Sequence, residues 1–202
     1  EQARKLYGGA PANRMRVGRA DSELAGIALL EGQPALARAL LPKAIAGLRT
    51  RGWKVPPLIA EARLLLACAQ SPGPQCSADL QASVERDFAA VAGRGDPMLL
   101  WVQTSLAEVE LLHHEPAIAR ARLADAIRRA SIELPPSHPR RVVAQLWLVL
   151  ATARAGDCTS AVAEAQAARA IIQANDLAAH PELAGVRAAL RRPAGSCGVV
   201  MN

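Results

Sequence analysis

Aromatic residues are nearly missing from this chain: Tyr7, Trp53, Phe88, Trp101 and Trp147 make up 2% of its 202 residues. Strands favour aromatic and β-branched side chains, so so few rings argue against a sheet as the main framework. A small-molecule pocket lined with rings is disfavoured on the same ground. Lysine is rarer still, with Lys5, Lys43 and Lys54 alone, so the net charge of +6 rests on arginine. The local groups Arg14/Arg16/Arg19, Arg128/Arg129, Arg140/Arg141 and Arg191/Arg192 are dispersed along the chain. A phosphate-tracking stripe would be denser, which argues against nucleic acid as a partner.

No apolar run reaches the roughly 20 residues that cross a bilayer, and Glu1 does not open a basic and apolar signal sequence. The opening EQARKLYGGAP suggests a piece of a longer polypeptide, with residues 1–10 a linker or the end of a preceding repeat. Also missing are a Walker-type loop, HExxH, GxSxG and CxxC. No catalytic residue, metal ligand set or cofactor is therefore expected. GRGDP at 93–97 is assigned to a turn between repeats. His113 and His114 are adjacent, about 100° apart on a helix, which is poor geometry for holding one metal ion.

What is abundant is Ala and Leu, residues of high helix propensity. The chain also repeats itself. LLEGQPALARALLPKAI at 29–45 and LLHHEPAIARARLADAI at 111–127 agree at ten of seventeen positions, 82 residues apart. Half that period is present as well. Gly32, Gly73, His114 and Gly156 are spaced by 41, 41 and 42, each followed five residues on by Ala37, Ala78, Ala119 and Ala161. Prolines at 11, 56, 97, 139 and 181 mark the other end of each unit.

Proline presets φ for a first helical turn, so each unit is expected to open helix A at its proline, turn at the glycine position and run on into helix B. The helix pairs predicted are 11–31 with 34–51, 56–70 with 76–92, 97–113 with 116–132, and 139–155 with 158–174. The corresponding units are 11–55, 56–96, 97–138 and 139–180, followed by a capping helix at 181–192 and an irregular tail at 193–202. A period of this length with two helices per unit implies an all-α helical solenoid. Small side chains let helices approach closely, so Ala25 and Ala107 in the A helices are expected to face Ala37 and Ala119 in the B helices.

On these residues the stretch 11–192 resembles the tetratricopeptide repeats, in the longer form of about 42 residues known from kinesin light chains and many bacterial proteins. The segments LYGGAP, PPSHP and LAAHP resemble the inter-repeat stretches of the bacterial forms. Val149 in place of a small residue, His114 in place of glycine, and Leu66 and Glu85 in the second unit depart from the pattern. The resemblance implies a right-handed solenoid of four antiparallel helix pairs plus a cap, with the A helices lining a concave groove.

Carried over residue by residue, it nominates Arg19, Ser22, Arg63, Trp101, Thr104, Glu108 and Leu146 as groove positions for a protein or peptide partner. Arg19 and Arg63 would grip the carboxylates of an acidic peptide. It also implies a place in the C-terminal region of a bacterial receptor-like serine/threonine kinase or winged-helix regulator. The alternatives are a small-molecule-sensing domain of a regulator and a self-association scaffold joined through its repeat ends.

Four cysteines complete the inventory. Cys68 and Cys76 flank the turn of the second unit, while Cys158 and Cys197 could pin the tail to the last B helix. Two bridges would place the chain on the extracytoplasmic, periplasmic face of a membrane-anchored protein. Four reduced, partly buried thiols would instead mean the cytoplasm.

Overall fold

The computed structural model describes residues 11–49, 54–92, 97–180, 183, 186, 189, 190 and 197, with the backbone alone at 11–13. Eight α-helices and no strand are found among them: α1 (Pro11–Leu30), α2 (Pro34–Leu48), α3 (Val55–Gln70), α4 (Leu80–Ala89), α5 (Leu99–Leu112), α6 (Pro116–Ala130), α7 (Pro139–Arg154) and α8 (Cys158–Ala174). Starts and ends fall within a few residues of those predicted. The largest difference is α4, which begins at Leu80 because the turn before it is held by a disulfide. The chain forms two compact units, Glu1–Val102 and Gln103–Asn202.

In the first unit α1 packs on α2, α2 on α3, α3 on α4, and α1 also on α3. Its core gathers Ala25, Ala28, Ala37, Leu41, Leu48, Ala60, Leu64 and Ala67. Ala25 and Ala37 are both fully buried there, as the small-residue pattern requires. The closest approach of α1 and α2 lies further toward the start of α1, at two glycines. A Cβ on Gly47 would stand 2.7 Å from the Arg14 carbonyl oxygen, and one on Gly18 would stand 2.9 Å from that of Ala44. α3 is buried without a break from Pro57 to Ala67, so it has no solvent-facing stripe along that length.

In the second unit α6 packs on α7 and α7 on α8. Ala107 and Ala119 are fully buried. Of the proposed cap helix, Leu183, Val186, Ala189 and Leu190 are described; Leu183, Val186 and Leu190 are buried. Its remaining residues, the LYGGAP segment up to Ala10, and most of GRGDP and of the tail lie outside the described residues.

The turns repeat in detail. Gln33 N–H donates to Ala28 O and Gly32 N–H to Leu29 O; Glu115 and His114 donate likewise to Glu110 and Leu111, and Asp157 and Gly156 to Thr152 and Ala153. This double closure is the Schellman form of helix ending, which needs a left-handed residue just past the helix. Gly32, His114 and Gly156 occupy that place with φ of 71°, 62° and 87°. Gly73 does not: its turn is instead drawn in by the Cys68–Cys76 bridge, with Cα atoms 5.5 Å apart. The segments before α7 and after α8 also correspond. His138 N–H closes on Pro135 O at 3.0 Å and His180 N–H on Leu177 O at 2.9 Å.

Candidate functional site

Buried polar and charged side chains are distributed unevenly. Asp21 and Ser22 lie on α1, Glu61 and Arg63 on α3, Gln103, Thr104, Ser105 and Glu110 on α5, and Thr152 on α7. Among the described residues every one is on α1, α3, α5 or α7. Burying such groups is tolerated where they find partners, and Ser22, Arg63, Glu61, Gln103 and Glu110 find them.

In the first unit Arg63 is the centre. Its Nη1 donates to Ser22 O at 2.6 Å and Ser22 Oγ at 3.0 Å, and Nη1 and Nη2 each reach a Glu23 carboxylate oxygen at 3.4 Å. The guanidinium lies against Gly26, where a Cβ would come 3.0 Å from Cζ, and on its way out meets the Trp101 ring, 5.4 Å from Cζ to the ring centroid. Three of the nominated groove residues, Ser22, Arg63 and Trp101, are thus brought together. The Arg63 side chain is 7% exposed and its charge already faces Glu23, which leaves it little surface to offer an acidic peptide. The sequence signal for this inward arginine was Gly26 on the neighbouring helix, small enough to admit the guanidinium plane.

The other nominated residues separate by exposure. Arg19 is exposed, Trp101 and Glu108 are half-buried, and Ser22, Thr104 and Leu146 are buried, Leu146 completely. A wholly buried Leu146 is core packing and presents nothing to a ligand. Burial pushes the Glu108 carboxyl up to about 8, so it carries a proton at neutral pH and can donate a hydrogen bond.

In the second unit Arg122 joins α6 to α5. Its Nη2 lies 2.6 Å from Glu110 Oε1, and its Nη1 is 3.3 Å from Gln103 Oε1. Two further arginines, Arg38 and Arg120, stand at equivalent repeat positions and do equivalent things. From α2, Arg38 Nη1 donates to Ser71 O in the turn after α3; from α6, Arg120 Nη2 holds Asp157 Oδ2 at 3.0 Å in the turn after α7. Asp157 in turn accepts from Ser160 N–H at the start of α8. That capping bond, with Arg120 behind it, keeps the Asp157 carboxyl below the usual carboxylate range. Each of these arginines therefore fastens the second helix of one pair to the turn of the next. Arg38 and Arg120 are identical across the 82-residue repeat, an identity that does not by itself disclose this role.

The exposed arginines Arg128 and Arg129 share Asp125 on their own helix. A cleft of about 280 Å³ in the first unit is lined by Arg49, Lys54, Pro57, Leu58, Glu61, Asp87 and Ala90. Arg49 bonds Glu61 across it at 2.6 Å, yet burial still raises the Glu61 carboxyl against that attraction. Its charged walls carry no aromatic ring.

Both cysteine pairs are bonded as proposed: Cys68 to Cys76, and Cys158 to Cys197 with Cα atoms 5.0 Å apart. Bridges of this kind, with no described helix long and apolar enough to cross a membrane, are compatible with an extracytoplasmic domain. Among the described residues no group of three or more His, Cys, Asp or Glu is placed to hold a metal ion. Compared with models of protein families, with curated proteins and with solved structures, the chain finds no match in any of the three.

Proposed function

We propose that this chain is a non-enzymatic interaction module, a tetratricopeptide-like stack of helix pairs that holds a peptide or protein segment along its first helices. The observation that carries this reading is the recurrence of one turn geometry at Gly32, His114 and Gly156, with Arg38 and Arg120 fastening successive pairs. A stack built from one repeated join extends by addition, and such scaffolds serve as binding surfaces. Within each unit the buried polar residues described lie on α1 and α3 or on α5 and α7, which supports those helices as the ones that carry specific contacts. The two bridges favour a sensing or docking role outside the cytoplasm, within a larger bacterial signalling protein such as a receptor-like kinase.

Within that reading the accessible positions of the first unit narrow to Arg19 and Trp101. Trp101 offers a ring backed by a cation, a typical anchor for a partner side chain. A library of short random peptides, selected on the oxidised chain and mapped by hydrogen exchange, tests the proposal. Protection of α1 and α5 amides, with binding lost in Arg19→Glu and Trp101→Ala, is the expected result. Protection confined to α2, α4, α6 and α8, or no selectable peptide, would sink it.

A further inference from the structure

The two best-matched repeats differ in one respect. Leu106 and Val109 on α5 are each 1% exposed, while Leu24 and Ile27, which stand 82 residues earlier at the same repeat positions on α1, are 53% and 51% exposed. Ala20 is exposed as well, where its counterpart Val102 is buried. Mere position at a turn does not explain this. Leu30 and Leu36 are exposed by 43% and 47%, but so are their counterparts Leu112 and Ile118, by 44% and 51%. Leu24 and Ile27 are therefore exposed at positions that α5 buries completely.

The charges bordering this face are arranged by sign. At 100° per residue, Arg16, Ile27, Ala20, Glu31 and Leu24 fall within an arc of about 80° on α1. Arg16 stands toward the start of the helix and Glu31 just past its end, both exposed. When two copies of α1 lie antiparallel about a two-fold axis passing between residues 23 and 24, Arg16 meets Glu31 of the partner subunit, twice. The same register sets small Ala20 opposite the large Ile27 of the partner subunit and brings the two Leu24 side chains together at the axis. Size and the Arg16–Glu31 charges are self-complementary in this register, as an isologous interface requires, with the exposed Glu23 of each copy, held by Arg63, beside the axis.

We infer that this face of α1 is the contact between two copies of the chain, paired antiparallel through Leu24 and Ile27 with Arg16 and Glu31 closing each end. It is independent of what the first helices bind. One helix-on-helix seam of about 30 Å is at the small end of interface sizes, so a weak, concentration-dependent association is expected.

Sedimentation equilibrium on the full, oxidised chain over a range of concentrations tests it. The mass should rise from 21.2 kDa toward twice that value. Ile27→Glu should remain at the single-chain mass with its thermal unfolding unchanged, since the residue is half-exposed in the monomer. Glu31→Arg should weaken association on the order of tenfold, and Arg16→Glu combined with Glu31→Arg should restore it. A single-chain mass at every concentration would overturn the proposal and assign the face to a helix of another protein. Association indifferent to Ile27→Glu would overturn it too, as would failure of the charge-swapped pair to recover.

Discussion

The Arg63 guanidinium lies 5.4 Å from the centroid of the Trp101 ring while its Nη1 donates to the Ser22 carbonyl 2.6 Å away. An arginine in this setting ties α3 to α1 and at the same time backs a half-exposed indole.

Arg63→Ala removes a charge-assisted bond to a buried carbonyl and leaves a space beside the ring. A loss of about 2–4 kcal/mol in urea unfolding is expected. Arg63→Lys should recover only part of it, because an ammonium cannot present the planar fork that spans Ser22 and Glu23. Equal stability of all three proteins would show that the cluster adds nothing to the fold.

Removal of the two disulfides should not cost the same. Sequence separations of 8 and 39 residues give, by loop-closure entropy alone, about 2.5 kcal/mol for Cys68–Cys76 and about 4 kcal/mol for Cys158–Cys197. Paired Cys→Ser variants compared by calorimetry would reveal the order, and a larger loss from the short loop would show that strain or packing dominates over entropy.

Glu108 makes stability depend on pH in an unusual direction. Its folded-state value of about 8 is above the ordinary 4.5, so the native chain binds more protons than the unfolded one between those limits. The contribution is complete below about pH 4.5 and is lost as pH rises through about 8, with a slope of up to about 1.4 kcal/mol per pH unit. Glu61 and Glu164 are raised by burial as well and act in the same sense. The difference between wild type and Glu108→Gln therefore isolates this group. It should shrink as pH rises, and a difference that stays constant with pH would contradict the assignment.

His114 holds a φ of 62° that glycine adopts at the two matching turns. Left-handed backbone is costly for a residue with a Cβ, while glycine gives the unfolded chain more freedom. The first effect is the larger, so His114→Gly should stabilise by about 0.5–1 kcal/mol. Gly32→Ala and Gly156→Ala should each destabilise by about 1 kcal/mol although open space surrounds both. Thermal unfolding of the three variants checks the signs.

The repeat was legible in the sequence because its joints tolerate few residue types. A left-handed turn selects glycine, and a crossing of two helices selects alanine, so Gly32/Gly156 and Ala37/Ala119 print the period directly. Both disulfides were legible for a similar reason, each pair standing at the ends of segments that the helix pattern already brought near. The inward course of Arg63 was not. An arginine on an amphipathic helix is ordinarily solvent-facing, and only the coincidence of Ser22, Glu23 and Gly26 on a different helix turns it inward. The same holds for Arg38 and Arg120, whose acceptors, the Ser71 carbonyl and the Asp157 carboxylate, stand more than thirty residues away along the chain. At Gly73 the place of the turn was legible but not its form, because the Cys68–Cys76 bond there performs what a left-handed residue does at the other turns.

The Cys158–Cys197 bond has a mechanical consequence. It closes a loop 39 residues long that contains all of α8 together with Leu183, Val186 and Leu190. Tension applied along the chain passes through the sulfur–sulfur link and bypasses everything inside that loop. Stretching the oxidised protein would thus leave about 140 Å of contour length unreleased, at about 3.6 Å per residue. While the rest of the chain is drawn out, α8 would bear no load, and reduction would be the event that exposes it to force.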